Sequence, residues 1–198
     1  MIKLESVTKN IKGQDVVKDI SLTFEKGKLY LLRGHNGSGK TMLLRLLCGL
    51  ITPTSGKIEK DEYSYGVIIE NPSFVEHETA RQNLDFLASI QKKINMKGIE
   101  EAVEKVNLLD VIDTKVKKYS LGMKQRLAFC QAIMEEPDVL LLDEPFNALD
   151  DEHFELILNT IKEMKEDKLI VIAAHGFDLD KYPIFDEVIT LNSGKIAR

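Results

Sequence analysis

Hydrophobic and polar positions alternate in the N-terminal stretch and then give way to longer apolar blocks. There, apolar side chains such as Ile20, Leu22 and Phe24 are separated by polar ones, the period of a half-buried β-strand. The continuous apolar run at residues 29–32 predicts a buried strand instead. Residues 41–50 then predict a largely buried helix.

The rest of the chain changes from helix-rich to mixed patterns. Residues 79–135 predict helices, with no strong strand signal after Ile69. Further elements are predicted as follows: a turn at 53–56, strands at 139–142, 169–174 and 188–191, and a helix at 151–166. Strand–helix alternation implies a parallel sheet covered by helices. The pattern therefore predicts an α/β fold with a mainly parallel sheet and an inserted helical lobe.

The length and charge limit the class of protein. With 198 residues, the chain is predicted to be one domain, 1–198, with a helical lobe at about 72–135. Its net charge of −5 argues against nucleic acid as a partner. Three lysines are close together in the sequence: Lys115, Lys117 and Lys118. They form either a solvated surface or a contact to a partner or to lipid headgroups.

The cysteines and apolar runs indicate a cytoplasmic chain. The two cysteines, Cys48 and Cys130, form no disulfide framework, which fits a reducing compartment. The first residues lack the apolar core of a signal peptide, and the longest apolar runs are too short to cross a bilayer. We expect attachment to a membrane to require a partner.

A glycine-rich loop lies between the predicted buried strand and the helix that follows it. Gly34 and Gly39 are separated by four residues and are followed by Lys40 and Thr41, the pattern of a phosphate-binding loop. Glycines let backbone N–H groups surround phosphate oxygens, and the helix start adds its positive dipole end. The alternative, a turn that only joins strand to helix, is disfavoured by this context. The predicted nucleotide-binding residues are Gly34, His35, Asn36, Gly37, Ser38, Gly39, Lys40, Thr41 and Met42.

Two acids end the predicted strand at residues 139–142. Carboxyl ends of parallel strands face the ligand crevice, so Asp143 and Glu144 are predicted to lie near the phosphates. Asp143 would hold Mg²⁺ through a water, the Thr41 hydroxyl would ligate the ion, and Glu144 would act as the general base on the attacking water. The alternative makes both carboxylates helix caps or surface charges.

With these motifs in place, nearly the whole chain resembles the ATP-binding cassette (ABC) ATPases. The distinguishing segment is Tyr-Ser-Leu-Gly-Met at residues 119–123, which looks like the family signature Leu-Ser-Gly-Gly-Gln. Ser120 is a good N-cap for the helix behind it. Leu121 and Met123 depart from the family pattern, whereas Ser120 and Gly122, the positions that contact the γ-phosphate in the family, are retained.

The resemblance assigns further positions. Asn147 and Asp150 match the family's D-loop, which lies along the dimer seam, and His175 matches the switch histidine that contacts the γ-phosphate. A lone histidine is otherwise more often structural. The resemblance thus implies Glu144, His175 and Lys40 as catalytic residues.

Two positions depart from the family. Glu70 stands where a glutamine usually reaches Mg²⁺ and the attacking water; it is either a third Mg²⁺ ligand or a surface acid after the strand. Ile11 stands where an aromatic residue usually stacks on the adenine. Apolar packing by Ile11 would replace stacking, and ATP rather than GTP is implied by the family alone.

The resemblance implies how the activity is used. The signature of one subunit closes over the nucleotide on the phosphate loop of a second, identical or paired, and hydrolysis opens the pair. The function implied is an ATP- and Mg²⁺-dependent ATPase that powers export of drugs or antimicrobial peptides, peripheral on the inner face of the cell membrane. Separate membrane-spanning subunits would be contacted by residues 70–81. The alternative is a non-transport ABC ATPase, for example of the iron–sulfur assembly type.

Overall fold

The computed structural model describes residues 1–70 and 73–197, which form two compact units. The first contains Met1–Glu70, Asp138–Glu144 and the described residues from Lys165 onward, and the second contains the described residues between. The assignment of one domain with a lobe at 72–135 stays a prediction, and residue 72 lies outside the described residues, as does residue 71 of the proposed contact segment 70–81.

In the described residues, the first unit consists of nine strands and one α-helix, with a 3-10 turn at Lys165–Asp167. They are β1 (Ile2–Ile11), β2 (Gln14–Phe24), β3 (Lys28–Arg33), α1 (Lys40–Cys48), β4 (Ser55–Lys60), β5 (Tyr65–Ile68), β6 (Val139–Asp143), β7 (Leu169–Ala174), β8 (Glu187–Asn192) and β9 (Lys195–Ile196). The predicted strands at 29–32, 139–142, 169–174 and 188–191 correspond to β3, β6, β7 and β8.

A three-stranded antiparallel sheet has the order β2-β1-β4. The turn predicted at 53–56 is wrong in its second half, because Ser55 and Gly56 belong to β4. Gly56 has φ 83°, and a Cβ there would lie 2.3 Å from the Ser6 carbonyl oxygen. The glycine is thus required by the close approach of β1, and its local sequence resembles a turn.

A second sheet of six strands has the order β5-β6-β7-β3-β8-β9. Its strand pairs are parallel except for the short final pair, β8 with β9. In the register, Asp143 lies opposite Ala173, and Arg33 lies opposite Ala174. The segments that follow β3, β6 and β7 therefore begin at one edge of this sheet.

The main core of the first unit joins both sheets to α1. It contains alternate residues of the central strands, such as Tyr30 and Leu32 of β3 and Leu141 of β6, packed with Leu43 and Leu47 of α1. This packing fixes the start of α1, and with it the phosphate loop, against the carboxyl ends of the strands. The helix ends at Cys48, and its C-cap, Gly49, has φ 81°.

The second unit is helical. Its helices are α2 (Ala80–Gln91), α3 (Met96–Glu104), α4 (Leu121–Ile133) and α5 (Asp151–Met164), with 3-10 turns at Leu109–Val111 and Val116–Lys118. Thr79 forms a capping box with Gln82 at the start of α2. The Arg126 guanidinium is buried and donates to the carbonyl oxygens of Val106 and Asn107, tying α4 to the chain after α3.

Each unit contains one free cysteine. Cys48 is half-buried in α1, and Cys130 is buried in α4. Burial raises the pKa of Cys130 to about 12. Among the described residues, no helix has both the length and the apolar character needed to cross a membrane.

Candidate functional site

The phosphate loop connects β3 to α1 and leaves the start of α1 without a side-chain cap. The N-cap is Gly39, with φ 106°, and no side chain accepts from the first N–H groups of the helix. The Ser38 hydroxyl is buried and has no hydrogen-bond partner in the described part of the chain. Uncapped N–H groups and a buried donor at a helix start suit an anionic ligand. The loop therefore fits a nucleotide phosphate.

Lys40 is the first residue of α1 and is 6% exposed. Its Nζ donates to the carbonyl oxygens of Gly34 at 2.8 Å and His35 at 3.3 Å. The ammonium group is thus bound to backbone carbonyl groups of the phosphate loop, where phosphate oxygens can replace these carbonyl oxygens as its acceptors.

Thr41 and Asp143 are brought together from α1 and β6. The Thr41 hydroxyl donates to Asp143 Oδ2 at 2.5 Å. Burial raises the pKa of Asp143, the bond from Thr41 opposes this shift, and the negative charge of Glu144 adds to it. Two hard oxygen ligands, one on a poorly compensated carboxylate, suit Mg²⁺. No cluster of three His, Cys, Asp or Glu able to hold a metal occurs among the described residues.

Glu144 follows β6, and its carboxylate contacts His175, which follows β7. His175 Nδ1 lies 2.6 Å from Glu144 Oε1, and the His175 backbone N–H donates to Oε2 at 3.4 Å. The backbone of Glu144 has φ 50°, an uncommon value for a residue other than glycine. Its N–H donates to the Ala173 carbonyl oxygen at 2.8 Å. Strained residues of this kind cluster at functional sites. The structure thus joins two of the three predicted catalytic side chains.

Glu70 follows β5 and is paired with a residue that the sequence did not single out. The Arg45 guanidinium of α1 donates to Glu70 Oε1, and the Glu70 side chain is 64% exposed. Glu70 also has φ 66°. In this structure, Arg45 thus binds one of the carboxylate oxygens that Glu70 would need in order to act as a Mg²⁺ ligand. No signal in the sequence marks Arg45, because helix spacing alone does not identify a partner 25 residues away.

The signature segment begins α4. The Ser120 hydroxyl is the N-cap and accepts from the Met123 N–H at 3.2 Å. Leu121 is 69% exposed. The departure from the family's glycine at this position therefore places an apolar side chain in solvent at the start of the helix.

Gly122 packs against Ala148, which lies between the two residues predicted for the dimer seam, Asn147 and Asp150. A Cβ at Gly122 would lie 2.7 Å from the Ala148 carbonyl oxygen. This contact within the second unit therefore requires a glycine at position 122, independently of any ligand. A pocket of about 310 Å³ brings the predicted signature residues together with Ala148, Leu149 and Asp150.

Asp150 caps α5 as well as matching the D-loop. Its Oδ1 accepts from the His153 N–H at 2.9 Å and lies 2.6 Å from His153 Nδ1. The i to i+3 spacing is that of an N-cap, so this local role was readable from the sequence. Asn147 is exposed, as are Ile11 and the three clustered lysines.

The fold and these motifs define a nucleotide-binding P-loop ATPase, and the comparisons with known proteins identify its family. The chain matches the ABC transporter family over residues 17–147. It belongs to this family as an ATP-binding cassette with ATPase activity, and the predicted fold class is confirmed.

Similar curated proteins are bacterial ATP-binding subunits. The chain is 42% identical to the ABC transporter ATP-binding protein YybJ of Bacillus subtilis (strain 168), over 99% of this chain and 94% of the relative. It is 35% identical to the bacitracin transport ATP-binding protein BcrA of Bacillus licheniformis, over 99% of this chain and 68% of the relative. Among solved structures, the dimeric bacterial ABC transporter cassette MJ0796 matches with a TM-score of 0.90 at 25% identity, covering 100% of this chain and 97% of that one.

Proposed function

We propose that this ABC ATP-binding subunit hydrolyses Mg²⁺-ATP as one member of a pair and powers export through separate membrane-spanning subunits. The observation that carries the proposal is the contact between Glu144 and His175 in the same unit as the bonded Thr41 and Asp143. The pair of cassettes would lie on the inner face of the cell membrane, held there by the membrane-spanning subunits.

The roles at the phosphates follow from the donor set. Lys40 and the N–H groups of the loop bind the β and γ phosphates. Thr41 and Asp143 would hold Mg²⁺, with Glu70 as a third oxygen ligand when released from Arg45. The ion, when bound, neutralises charge that develops on the phosphate oxygens.

Glu144 acts as the general base in this proposal. Its carboxylate accepts a proton from the attacking water, and His175 orients that carboxylate through their short contact. His175 also provides a donor for the γ-phosphate when the nucleotide is bound. Ser120 and Gly122 of the second subunit complete the grip on the γ-phosphate, with Asn147 and Asp150 at the seam.

The direction of transport is inferred from relatives. The BcrA proteins carry bacitracin transport in their names, and the chain covers 52% of the Enterococcus faecalis relative and 68% of the Bacillus licheniformis one. These similarities favour a peptide antibiotic or a related drug as cargo. Disruption of the gene in its host is expected to increase sensitivity to such a peptide, whereas unchanged sensitivity to every peptide tested, with uptake of a nutrient impaired, would assign import.

The catalytic proposal is tested by Glu144→Gln. Glutamine keeps the size of the side chain and accepts a bond from His175, but it takes no proton at neutral pH. We expect ATP binding to persist, hydrolysis to fall at least about a hundredfold, and a dimer to accumulate with ATP in size-exclusion chromatography. Glu152→Gln, at an exposed position, is the matched control. Normal turnover by a monomeric Glu144→Gln protein contradicts the proposal.

A further inference from the structure

A second pocket in the first unit adjoins the phosphate loop. It has a volume of about 380 Å³ and is lined by Leu31, residues 33–35 and residues 175–177. Leu31 and Arg33 are two residues apart on β3 and therefore point to the same face of the sheet. We call this depression the Arg33 pocket.

The polar side chains that line the Arg33 pocket are basic. They are Arg33, His35 and His175, and no carboxylate is among the lining residues, although the chain has a net charge of −5. Arg33 is exposed, and its guanidinium makes no hydrogen bond or ion pair with any other residue that the structure describes. An unpaired guanidinium has its planar donors available for a phosphate or a carboxylate.

The position of the Arg33 pocket connects it to the reaction. Its lining includes Gly34 of the phosphate loop and His175, whose Nδ1 lies 2.6 Å from Glu144 Oε1. The pocket is therefore next to the side chain that activates water in the proposed mechanism. Hydrolysis forms a bond from the water oxygen to the γ-phosphorus, breaks the bond to the β–γ bridging oxygen, and leaves inorganic phosphate at this end of the nucleotide.

We propose that the Arg33 pocket binds the inorganic phosphate released by hydrolysis, with Arg33 as its principal contact. This inference rests on the proposed roles of the phosphate loop and of Glu144. Arg33 does not contact the nucleotide in this scheme, so its removal weakens phosphate binding and leaves ATP binding in place. Phosphate bound there delays the return of the site to a state that accepts ATP, which makes phosphate a product inhibitor.

The experiment measures inhibition of steady-state ATP hydrolysis by added inorganic phosphate, with ADP formation as the readout. The full-length chain is compared with Arg33→Ala, Arg33→Lys and the control Lys195→Ala, which removes an exposed positive charge from β9. For Arg33→Ala we expect the inhibition constant for phosphate to rise about tenfold, the effect of losing one charge-assisted hydrogen bond. The KM for ATP should stay within about twofold of the wild-type value. Arg33→Lys should restore part of the inhibition, and Lys195→Ala should match the wild type.

Three results would overturn the inference. The first is absence of phosphate inhibition in the wild type, or an unchanged inhibition constant in Arg33→Ala. The second is an equal rise in the KM for ATP, which would place Arg33 in the nucleotide site itself. The third is loss of the ATP-dependent dimer in Glu144→Gln combined with Arg33→Ala, which would assign the pocket to an acidic segment of a second copy. If the wild type hydrolyses no ATP, the proposed function itself fails, which is a separate result.

Discussion

At the level of single residues, the two acids at the carboxyl end of β6 differ in their surroundings. Asp143 is bonded to the Thr41 hydroxyl, and burial raises its pKa; Glu144 contacts the more exposed His175. A buried carboxylate without a full complement of donors costs stability when it is ionised. The chain therefore carries a destabilising group at the position where the proposal places Mg²⁺.

Asp143→Asn is expected to stabilise the nucleotide-free protein while abolishing Mg²⁺-dependent hydrolysis. Because its pKa is raised on folding, Asp143 favours the folded state at low pH, and this contribution is lost as the pH rises through the raised pKa. The melting temperature of Asp143→Asn should exceed that of the wild type at pH 7.5, with a smaller difference at pH 4. Asp180→Asn, at an exposed position, serves as the control. Equal melting temperatures of Asp143→Asn and wild type across this range would show that the buried charge costs nothing.

At the level of elements, the sequence predicts those whose pattern is local and misses those that depend on distant pairing. The strands β3, β6 and β7 were readable as continuous apolar runs, because both of their faces are buried. β4 was not, because its pairing with β1 joins residues about 50 positions apart and its glycine imitates a turn.

The same distinction holds for the site. The approach of Glu144 to His175 follows from their positions after adjacent parallel strands, β6 and β7. The sequence predicts this edge for Glu144, and His175 directly follows the strand predicted at 169–174. The pairing of Glu70 with Arg45 joins a loop to a helix, and no periodicity predicts it. The assigned roles of these residues stay predictions.

The end of β5 offers a test of Glu70. Glu70→Gln keeps a carbonyl oxygen but removes the charge, so we expect the Mg²⁺ concentration for half-maximal hydrolysis to change severalfold if Glu70 is a ligand. Glu62→Gln, an exposed acid in the same unit, controls for net charge. An unchanged Mg²⁺ dependence and rate would identify Glu70 as a surface acid paired with Arg45.

The start of α4 offers a test of packing. Gly122→Ala places a Cβ 2.7 Å from the Ala148 carbonyl, and overpacking of this kind costs about 1–3 kcal/mol of unfolding free energy. Gly98→Ala inside α3 places a Cβ at 3.3 Å from the Ile94 Cβ, a milder contact, and it gains helix propensity, so it should change stability by less than about 1 kcal/mol. Chemical denaturation measures both, and equal effects would show that the Ala148 segment yields without cost.

At the level of the whole molecule, the predicted binding residues divide between the two units. The phosphate loop, the two acids at the carboxyl end of β6 and His175 belong to the first unit, and the signature and D-loop residues belong to the second. A nucleotide bound at the phosphate loop of an isolated chain should therefore stabilise the first unit in particular. A pair of chains is needed before both sets of residues act on one nucleotide, as proposed.

Lys40→Ala tests whether a nucleotide bound at the phosphate loop stabilises the folded chain. At a nucleotide concentration of 100 times the dissociation constant, binding stabilises the folded state by about 2.7 kcal/mol. We expect Mg²⁺-ATP to raise the melting temperature of the wild type and of Lys195→Ala, and to have little effect on Lys40→Ala, which lacks the cation held at the loop. A full shift in Lys40→Ala would exclude Lys40 from binding.

The two cysteines offer a way to monitor the unfolding of each unit. Cys48 lies in α1 of the first unit and Cys130 in α4 of the second, so each unit has its own thiol. A thiol with a pKa of about 12, as at Cys130, reacts very slowly with alkylating reagents while its surroundings stay folded. Brief alkylation followed by peptide mass spectrometry would therefore time the exposure of one unit separately from the other, without any engineered label.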